Sequence, residues 1–433
     1  MSVPAQSTAR AKDFRVAIIG GGMCGLVCAV GLARFGIEAE IFEQAPKFDE
    51  VGAGVGLGPN ALRALDRLGV LDAVLARVDD AERQERRMLY VSGSDQHEEV
   101  YDYNKSSEFT AADDGIGIYR PAFLDAVMPL VDPKRTHFNK RCTSATKLAS
   151  GAYCIQFSDG TSHEADLVIG ADGVKSVLRN AVVGDKMVLQ FTNTVAYRGL
   201  VPLETLKQDG LKTDLRRRVC CFVGIDKHII AFPIRSGKIV NIVAFATDNS
   251  VPVGSVEVTG PWVESVPQKE LLDKYEGWGP DAMSMLNHMK NPSKWSIHAL
   301  TPLETFVHEK IALVGDAGHA MTPHLGSGVG QGFEDVFVLC ELIGHPSTNL
   351  SNLEDVLKAY DAIRQPRANM VLHRSFRAGV IYEAFGKPGY AAADMGKHLA
   401  GMWEPIWRHD LDADVASAVA SLQQRGSFPA AES

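Results

Sequence analysis

Three clusters of glycine and acid in this chain have the types and spacing to hold a phosphorylated, hydroxyl-rich ligand. The first is Arg15-Val-Ala-Ile-Ile-Gly-Gly-Gly-Met-Cys-Gly25, an apolar run entering Gly20-x-Gly22-x-x-Gly25 and followed by Ile41-Phe42-Glu43. Gly20 permits a tight turn, Gly22 lets the backbone approach a pyrophosphate, and Gly25 lets a helix pack close to its strand. The helix N-terminus then faces the phosphates, and Glu43, closing a second strand, is placed to accept hydrogen bonds from a ribose. A plain turn needs one such glycine. Here strand, turn, helix and terminal acid come in the order of a dinucleotide-binding βαβ unit.

The second cluster, His163-Glu-Ala-Asp-Leu-Val-Ile-Gly-Ala-Asp-Gly173, repeats that plan with Asp172 at the turn and a helix expected to carry Lys175, Ser176 and Arg179. The third runs from Ile311 to Asp335: a buried strand, then Gly315-Asp316, then Gly326, Gly328 and Gly330 opening a helix. Asp316 is placed to accept from a polyol hydroxyl, and the amides from Gly326 to Gly330 sit where a helix N-terminus stabilises negative charge on a ligand ring. Arg120 lies at the mouth of a helix begun by Pro121. For Arg198 the plainer alternative is a strand arginine paired at the surface, and for His324 a loop histidine bonded to backbone. His319 reads as structural.

The elements that must position these residues are legible from periodicity. Leu26, Val27, Val30, Gly31 and Leu32 predict a helix over Cys24–Phe35 closed by Gly36, with Glu38–Glu43 as the next strand. Val51–Asn60 is a glycine-rich loop, and Asn60–Gly69 a helix. Arg77–Arg87 is charge-rich, while Arg87–Ser92 and Glu98–Tyr103 read as strands of a second sheet. Tyr119–Met128 is helical. Strands Val195–Leu200, Arg218–Val223, His228–Ile234 and Ile239–Ala246, separated by turn signals, predict an antiparallel sheet. Helices over Gln268–Glu276 and Asp281–Met289 precede a returning strand, Trp295–Leu300. Leu353–Phe376 and Asp394–Leu422 are mostly helical, with Tyr360, Trp403 and Trp407 read as core.

Composition bounds the function. The 433 residues are 45% hydrophobic and 22% charged, an ordinary globular balance with room for two or three domains. A net charge of -9 argues against nucleic acid or an anionic membrane as partner, yet leaves an anionic substrate open to a local basic pocket. The 7 cysteines are odd in number and lack C-x-x-C pairs, which disfavours a disulfide framework or a zinc site and implies reduced thiols in the cytoplasm. The first twelve residues are polar, without the apolar stretch of a signal, and are expected to be disordered. No run approaches the roughly 18 apolar residues a membrane span requires.

Taken together, the motifs resemble the group A flavoprotein aromatic hydroxylases over nearly the whole chain. Gly20-x-Gly22-x-x-Gly25 is similar to that family's ADP-binding fingerprint, Asp172-Gly173 to its second motif, and Gly315-Asp316 to the motif holding the ribityl chain of FAD. Glu50–Val55, Gly58–Arg63, Ala196–Gly199, Asn241–Phe245, Pro323–Gly326 and His409–Asp414 extend the likeness. The resemblance implies an α/β fold: a Rossmann-like, GR2-type FAD-binding domain (13–84, 106–190, 295–375), an interleaved antiparallel substrate domain (85–105, 191–294) and a helical C-terminus (376–433). It implies bound FAD, NADH or NADPH as co-substrate, O2, a small aromatic substrate, no metal, and a monomer or homodimer. Glu43, Gly56, Arg120, Asp316 and Val329 match FAD-contacting positions, with Gly328 beside them. Arg198 matches an active-site arginine, and His324 a histidine implicated as substrate base or anchor.

The implied activity is hydroxylation of a phenolic acid, foremost salicylate to catechol with loss of CO2. Other rings (3-hydroxybenzoate, hydroxynicotinate, a polyketide phenol) are alternatives within the family, and a non-oxygenating FAD redox or sensor protein is the alternative of another class. Oxygen activation belongs to the cofactor, and an imidazole at His324 near its reference pKa would take the phenol proton. The pocket departs from the family at Phe222, where relatives often carry tyrosine, and at Leu325 and Ser327, in place of glutamine and alanine.

Overall fold

The computed structural model describes residues 12–48, 54–78, 88–105, 110, 113–184, 186–216 and 218–430. The first eleven residues, part of the loop after Glu43, and most of the charge-rich stretch before Met88 lie outside them.

The strand Val16–Ile19 is buried on both faces, as its unbroken apolar sequence requires of a central parallel strand. Leu167–Gly170 and Ala39–Phe42 flank it in parallel, with Ile19 level with both Gly170 and Phe42. Ile311–Leu313 and Thr136–His137 extend the sheet in parallel, and Val307–His308 closes one edge antiparallel. This register puts four strand ends at one rim of the sheet, where the chain runs on into Gly20, Glu43, the Asp172 turn and Gly315-Asp316. Ligands of open α/β sheets bind outside such carboxyl ends. The helices Met23–Arg34 and Gly328–Gly344 pack on each other and join the same core, the second burying Gln331, Glu334 and Asp335 among its apolar residues.

The second sheet has eight strands in the order Val263–Ser265, Ser293–Leu300, Leu189–Pro202, Ile239–Thr247, Lys227–Ile234, Cys220–Gly224, Leu89–Ser92 and Glu99–Asp102. All pairs are antiparallel except Cys220–Gly224 with Leu89–Ser92. The strand expected over Val195–Leu200 runs 14 residues, through a bulge between Phe191 and Val195, so the expected boundary at 190/191 falls inside it. The boundary at 294/295 falls inside Ser293–Leu300 in the same way, since that strand pairs along Leu189–Arg198.

Alternation sets the two faces of this sheet. Tyr197, Ile242, Ala244, Ile229 and Phe222 pack on the helices Leu203–Gln208, Gln268–Lys274 and Pro280–His288, whereas Arg198, Val243, Phe245 and Ile230 face the other way, toward the first sheet. Leu353–Tyr382 is one helix, continuing past Pro366 and past the expected end at Phe376. The expected helical tail resolves into Ala392–Leu399, Glu404–Trp407 and Leu411–Gln424. Among the described residues no helix is long and apolar enough to cross a membrane.

Candidate active site

The three glycines of the first turn divide their work. Gly20 has φ +106°, and a Cβ there would lie 2.3 Å from the carbonyl oxygen of Ala171. A Cβ on Gly25 would lie 1.9 Å from the carbonyl oxygen of Gly20. Both therefore serve strand–helix packing. A Cβ on Gly22 would meet nothing within 4 Å, and this residue lines a cavity of about 480 Å³ between the two sheets.

Gly56, Arg120, Arg198, Asp316, His324, Gly328 and Val329 line the same cavity, so residues from separate stretches of chain converge on one space. Gly20, Gly25, Glu43 and Asp172 do not line it. The carboxylate of Glu43 accepts from the amides of Gly21 and Ala45, each at 2.7 Å, and so braces the turn. Asp172 accepts from the Ser176 hydroxyl at 2.6 Å and from the amides of Val177 (2.7 Å) and Leu178 (3.2 Å). Burial pushes its carboxyl pKa up against those bonds. The helix it caps is Leu178–Val183; Lys175 and Ser176, expected on that helix, precede it, because the Asp172 cap consumes them as a turn. Asp316 is exposed toward the cavity and has no hydrogen-bond partner among the described residues.

Arg198 is not paired at the surface. Its guanidinium lies 4.6 Å from the centre of the Trp295 ring, its Nε is enclosed without a hydrogen bond, and no carboxylate reaches it among the described residues. Burial, and then the neighbouring Arg120 charge, lower its pKa to about 10, which leaves it cationic at neutral pH. An enclosed cation without a counter-charge is costly to keep, and its natural complement is an anionic ligand.

His324 sits in the turn Pro323–Leu325, ended by Gly326 at φ +61°. Its carbonyl accepts from the Tyr382 hydroxyl at 3.1 Å, and its Nδ1 is enclosed and unpaired. The ring fits because position 379 of the long helix is glycine: a Cβ there would lie 2.5 Å from its Cδ2 and 2.6 Å from its Nε2. Burial, and then His228, push its pKa well below the usual histidine range. The expectation of a reference pKa is thus corrected: His324 is a neutral imidazole.

Further placements bear on the sequence reading. Trp403 is buried in the core as expected and Trp407 packs against the same cluster, and both also line the cavity. Phe222 points to the helix side of its sheet, with its ring 5.1 Å from that of His97, so its departure from the family pattern does not touch the cavity. Leu325 and Ser327 do line it.

Beneath the glycine turn lies a charge network that pattern reading missed. Arg364 donates to Glu334 (2.7 Å) and Asp335 (2.8 Å), and Arg367 to Glu334 (2.6 Å), all buried. Glu334 accepts from Asn60 at 2.7 Å, while Asp335 accepts from the Gly315 amide at 2.9 Å and contacts His319 at 2.5 Å. Burial alone would raise the Glu334 carboxyl; the two guanidiniums outweigh it and hold the group at about 2. The network fastens the Gly315-Asp316 turn to the helix that begins at Gly328. The signal available was the pair of adjacent acids inside an otherwise apolar helix, since acids are rarely buried unless paired.

Residues 13–375 match the family of the FAD binding domain. The chain belongs to that family. It is 37% identical to a salicylate hydroxylase of Pseudomonas putida, over 94% of this chain and 95% of the relative. It is 32% identical to a 6-methylsalicylate 1-monooxygenase of Aspergillus terreus, over 92% of this chain and 88% of the relative. A solved salicylate hydroxylase in substrate complex superposes with a TM-score of 0.82 at 30% identity, covering 95% of this chain and 98% of that one. The protein is an FAD-dependent monooxygenase. Its residues fit FAD: bare backbone at Gly22, an unshared carboxylate at Asp316, and a glycine-lined helix start at Gly328.

Proposed function

We propose that this monooxygenase hydroxylates a phenolic ring bearing a carboxylate, with salicylate converted to catechol and CO2 as its leading substrate. The observation that carries the reading is Arg198, an enclosed guanidinium with no carboxylate partner among the described residues, in the same cavity as the neutral His324. The names of the relatives, salicylate and 6-methylsalicylate enzymes, point to the same class of ring.

When bound, FAD supplies the activated oxygen after reduction by NADH or NADPH. Gly22 gives its phosphates a bare backbone to approach, and Arg120 adds positive charge. Asp316 would accept from hydroxyls of the ribityl chain, and Glu43, beside its two backbone bonds, from the ribose, while Asp172 holds its turn in shape. The amides at Gly328 and Val329, which line the cavity, would stabilise negative charge on the flavin ring. Gly56, in the cavity wall, would contact the cofactor. Val243, Phe245, Pro323 and Leu325 keep water from the reacting carbon. Arg198 binds the substrate carboxylate, and His324 accepts the phenol proton. The phenolate enriches the ring carbon ortho to it, which in salicylate carries the carboxylate, so attack there ends in loss of CO2. The parallel sheet holds the cofactor and the antiparallel sheet the substrate.

The test is NADH consumption by the purified yellow protein, with and without salicylate, alongside analysis of the aromatic product. Catechol formed in step with NADH loss supports the proposal. Stimulated consumption yielding only hydrogen peroxide assigns another ring, and absence of stimulation removes salicylate altogether.

A further inference from the structure

His324 is neutral in its enclosed setting, so a proton taken from a phenol turns it into a buried cation, a costly state without a counter-charge nearby. The structure holds such a counter-charge one ring away. His228, fully buried on Lys227–Ile234, makes edge contact with His324 at a centroid distance of 5.0 Å and stacks on Phe245 at 4.5 Å. Its Nδ1 lies 3.0 Å from Oε1 of Glu383, a buried carboxylate that also accepts from the Thr247 hydroxyl at 3.0 Å. A carboxylate oxygen accepts only, so Nδ1 of His228 carries the hydrogen and its Nε2 is the free acceptor. That Nε2 is enclosed and unpaired, and so is Nδ1 of His324.

We propose that Glu383 and His228 form a proton-accepting pair behind His324, acting as positioning residues for the hydroxylation proposed above, on which this inference rests. His324 starts with its hydrogen on Nδ1, and as the substrate O–H breaks an N–H forms at its Nε2. The hydrogen on its Nδ1 passes to Nε2 of His228, and His324 ends neutral in its other tautomer. The positive charge thereby moves from the cavity to an imidazolium beside Glu383. No hydrogen bond joins the two nitrogens at rest; rotation of the His324 ring or one bridging water completes the path.

The tyrosines and the thiol packed around this pair stay uncharged. Burial pushes Tyr90, Tyr275, Tyr382 and the Cys221 thiol above their usual ranges. Tyr382 donates to the His324 carbonyl and Tyr275 to the His228 carbonyl (3.3 Å), so both fix backbone rather than exchange protons with the rings. Lys387 and Asp226 pair with each other at the surface beyond Glu383.

The test uses the FAD-loaded protein and 2-hydroxy-5-nitrobenzoate, whose phenolate absorbs in the visible. In wild type the bound probe should ionise at lower pH than in Glu383→Gln by about one pH unit, a tenfold change, while affinity for benzoate, which has no phenol, stays unchanged. His228→Asn, which keeps a donor to Glu383 but lacks the second ring nitrogen, should shift the probe in the same sense and answers the question if Glu383→Gln does not fold. Glu383→Asp should recover part of the shift. A probe that binds wild type and ionises at the same pH in folded variants overturns the relay alone. A wild-type protein that does not bind the probe overturns the phenolic-acid reading, and the relay with it.

Discussion

Replacing Arg198 by methionine separates a binding arginine from a structural one, because the two roles move stability and affinity in opposite senses. Methionine keeps the length and the apolar stem and removes the charge. The loss of contact with the Trp295 ring, at 4.6 Å, costs on the order of 0.5–2 kcal/mol. Against this, the variant no longer encloses a cation without a carboxylate partner, and relief of that penalty is of similar or larger size. The melting temperature of the folded, FAD-loaded protein should therefore stay within a few degrees or rise. Binding behaves differently: a hydrogen bond to a charged group contributes about 1.5–3 kcal/mol, so the KM for salicylate should rise by roughly ten- to a hundredfold. A phenol without a carboxylate should lose almost nothing. The assay is steady-state NADH oxidation over a substrate series, paired with thermal denaturation of the same preparation. A fall of more than about 5 °C in melting temperature with KM for salicylate within about twofold would make Arg198 a structural residue and refute the argument.

Gly22→Val should fold and lose its flavin, because the side chain enters open cavity, whereas Gly25→Val should fail to fold, its Cβ falling 1.9 Å from a carbonyl oxygen; flavin absorbance and circular dichroism separate the two. Arg364→Met leaves Glu334 and Asp335 short of a partner and should cost about 3–5 kcal/mol, read as a lowered denaturation midpoint with the KM of any residual active protein little changed. Asp113, buried against Arg408 at 2.7 Å, has its carboxyl held at about 2 by that guanidinium. Its folded pKa lies below the unfolded value of about 3.9, so its stabilisation is complete above roughly pH 4 and is lost as pH falls toward 2. Asp113→Asn should flatten the stability curve in that window, as followed by acid titration of fluorescence.

The cofactor half of the site was legible because each glycine or acid cluster directly follows a buried apolar strand, and parallel strands with both faces covered leave that continuous signature. The substrate half was less so. Leu189–Pro202 begins six residues before the expected Val195–Leu200, because Gln190, Thr192, Asn193 and Thr194 break the apolar pattern; Asn193 takes φ +57° at the bulge and donates to the carbonyls of Val251 and Pro252. Pro366 lies inside the helix expected over Leu353–Phe376, and the helix does continue past it, with Arg364 and Arg367 on either side clamped by Glu334 and Asp335. His228 and Glu383 stand 155 residues apart and gave no local pattern; only the return of the long helix across the second sheet brings them together.

Buried arginines in this protein are of two kinds, and the difference separates scaffold from site. Arg364 and Arg367 are matched by Glu334 and Asp335, so their charges cancel within the wall and cannot draw a ligand. Arg179 is committed to the carbonyls of Val174 and Ala317. Arg198 alone of these four has neither kind of partner among the described residues. Asp316 is its acidic counterpart in the cavity wall, whereas Asp113, in the same wall, is neutralised by Arg408. An unshared carboxylate calls for hydroxyl donors, and an unshared guanidinium calls for an anion. One cavity in a chain of net charge -9 thus presents a place for a polyol and a place for an acid. A cofactor alone would satisfy the first demand; the second is met only when a carboxylate-bearing ring enters beside it.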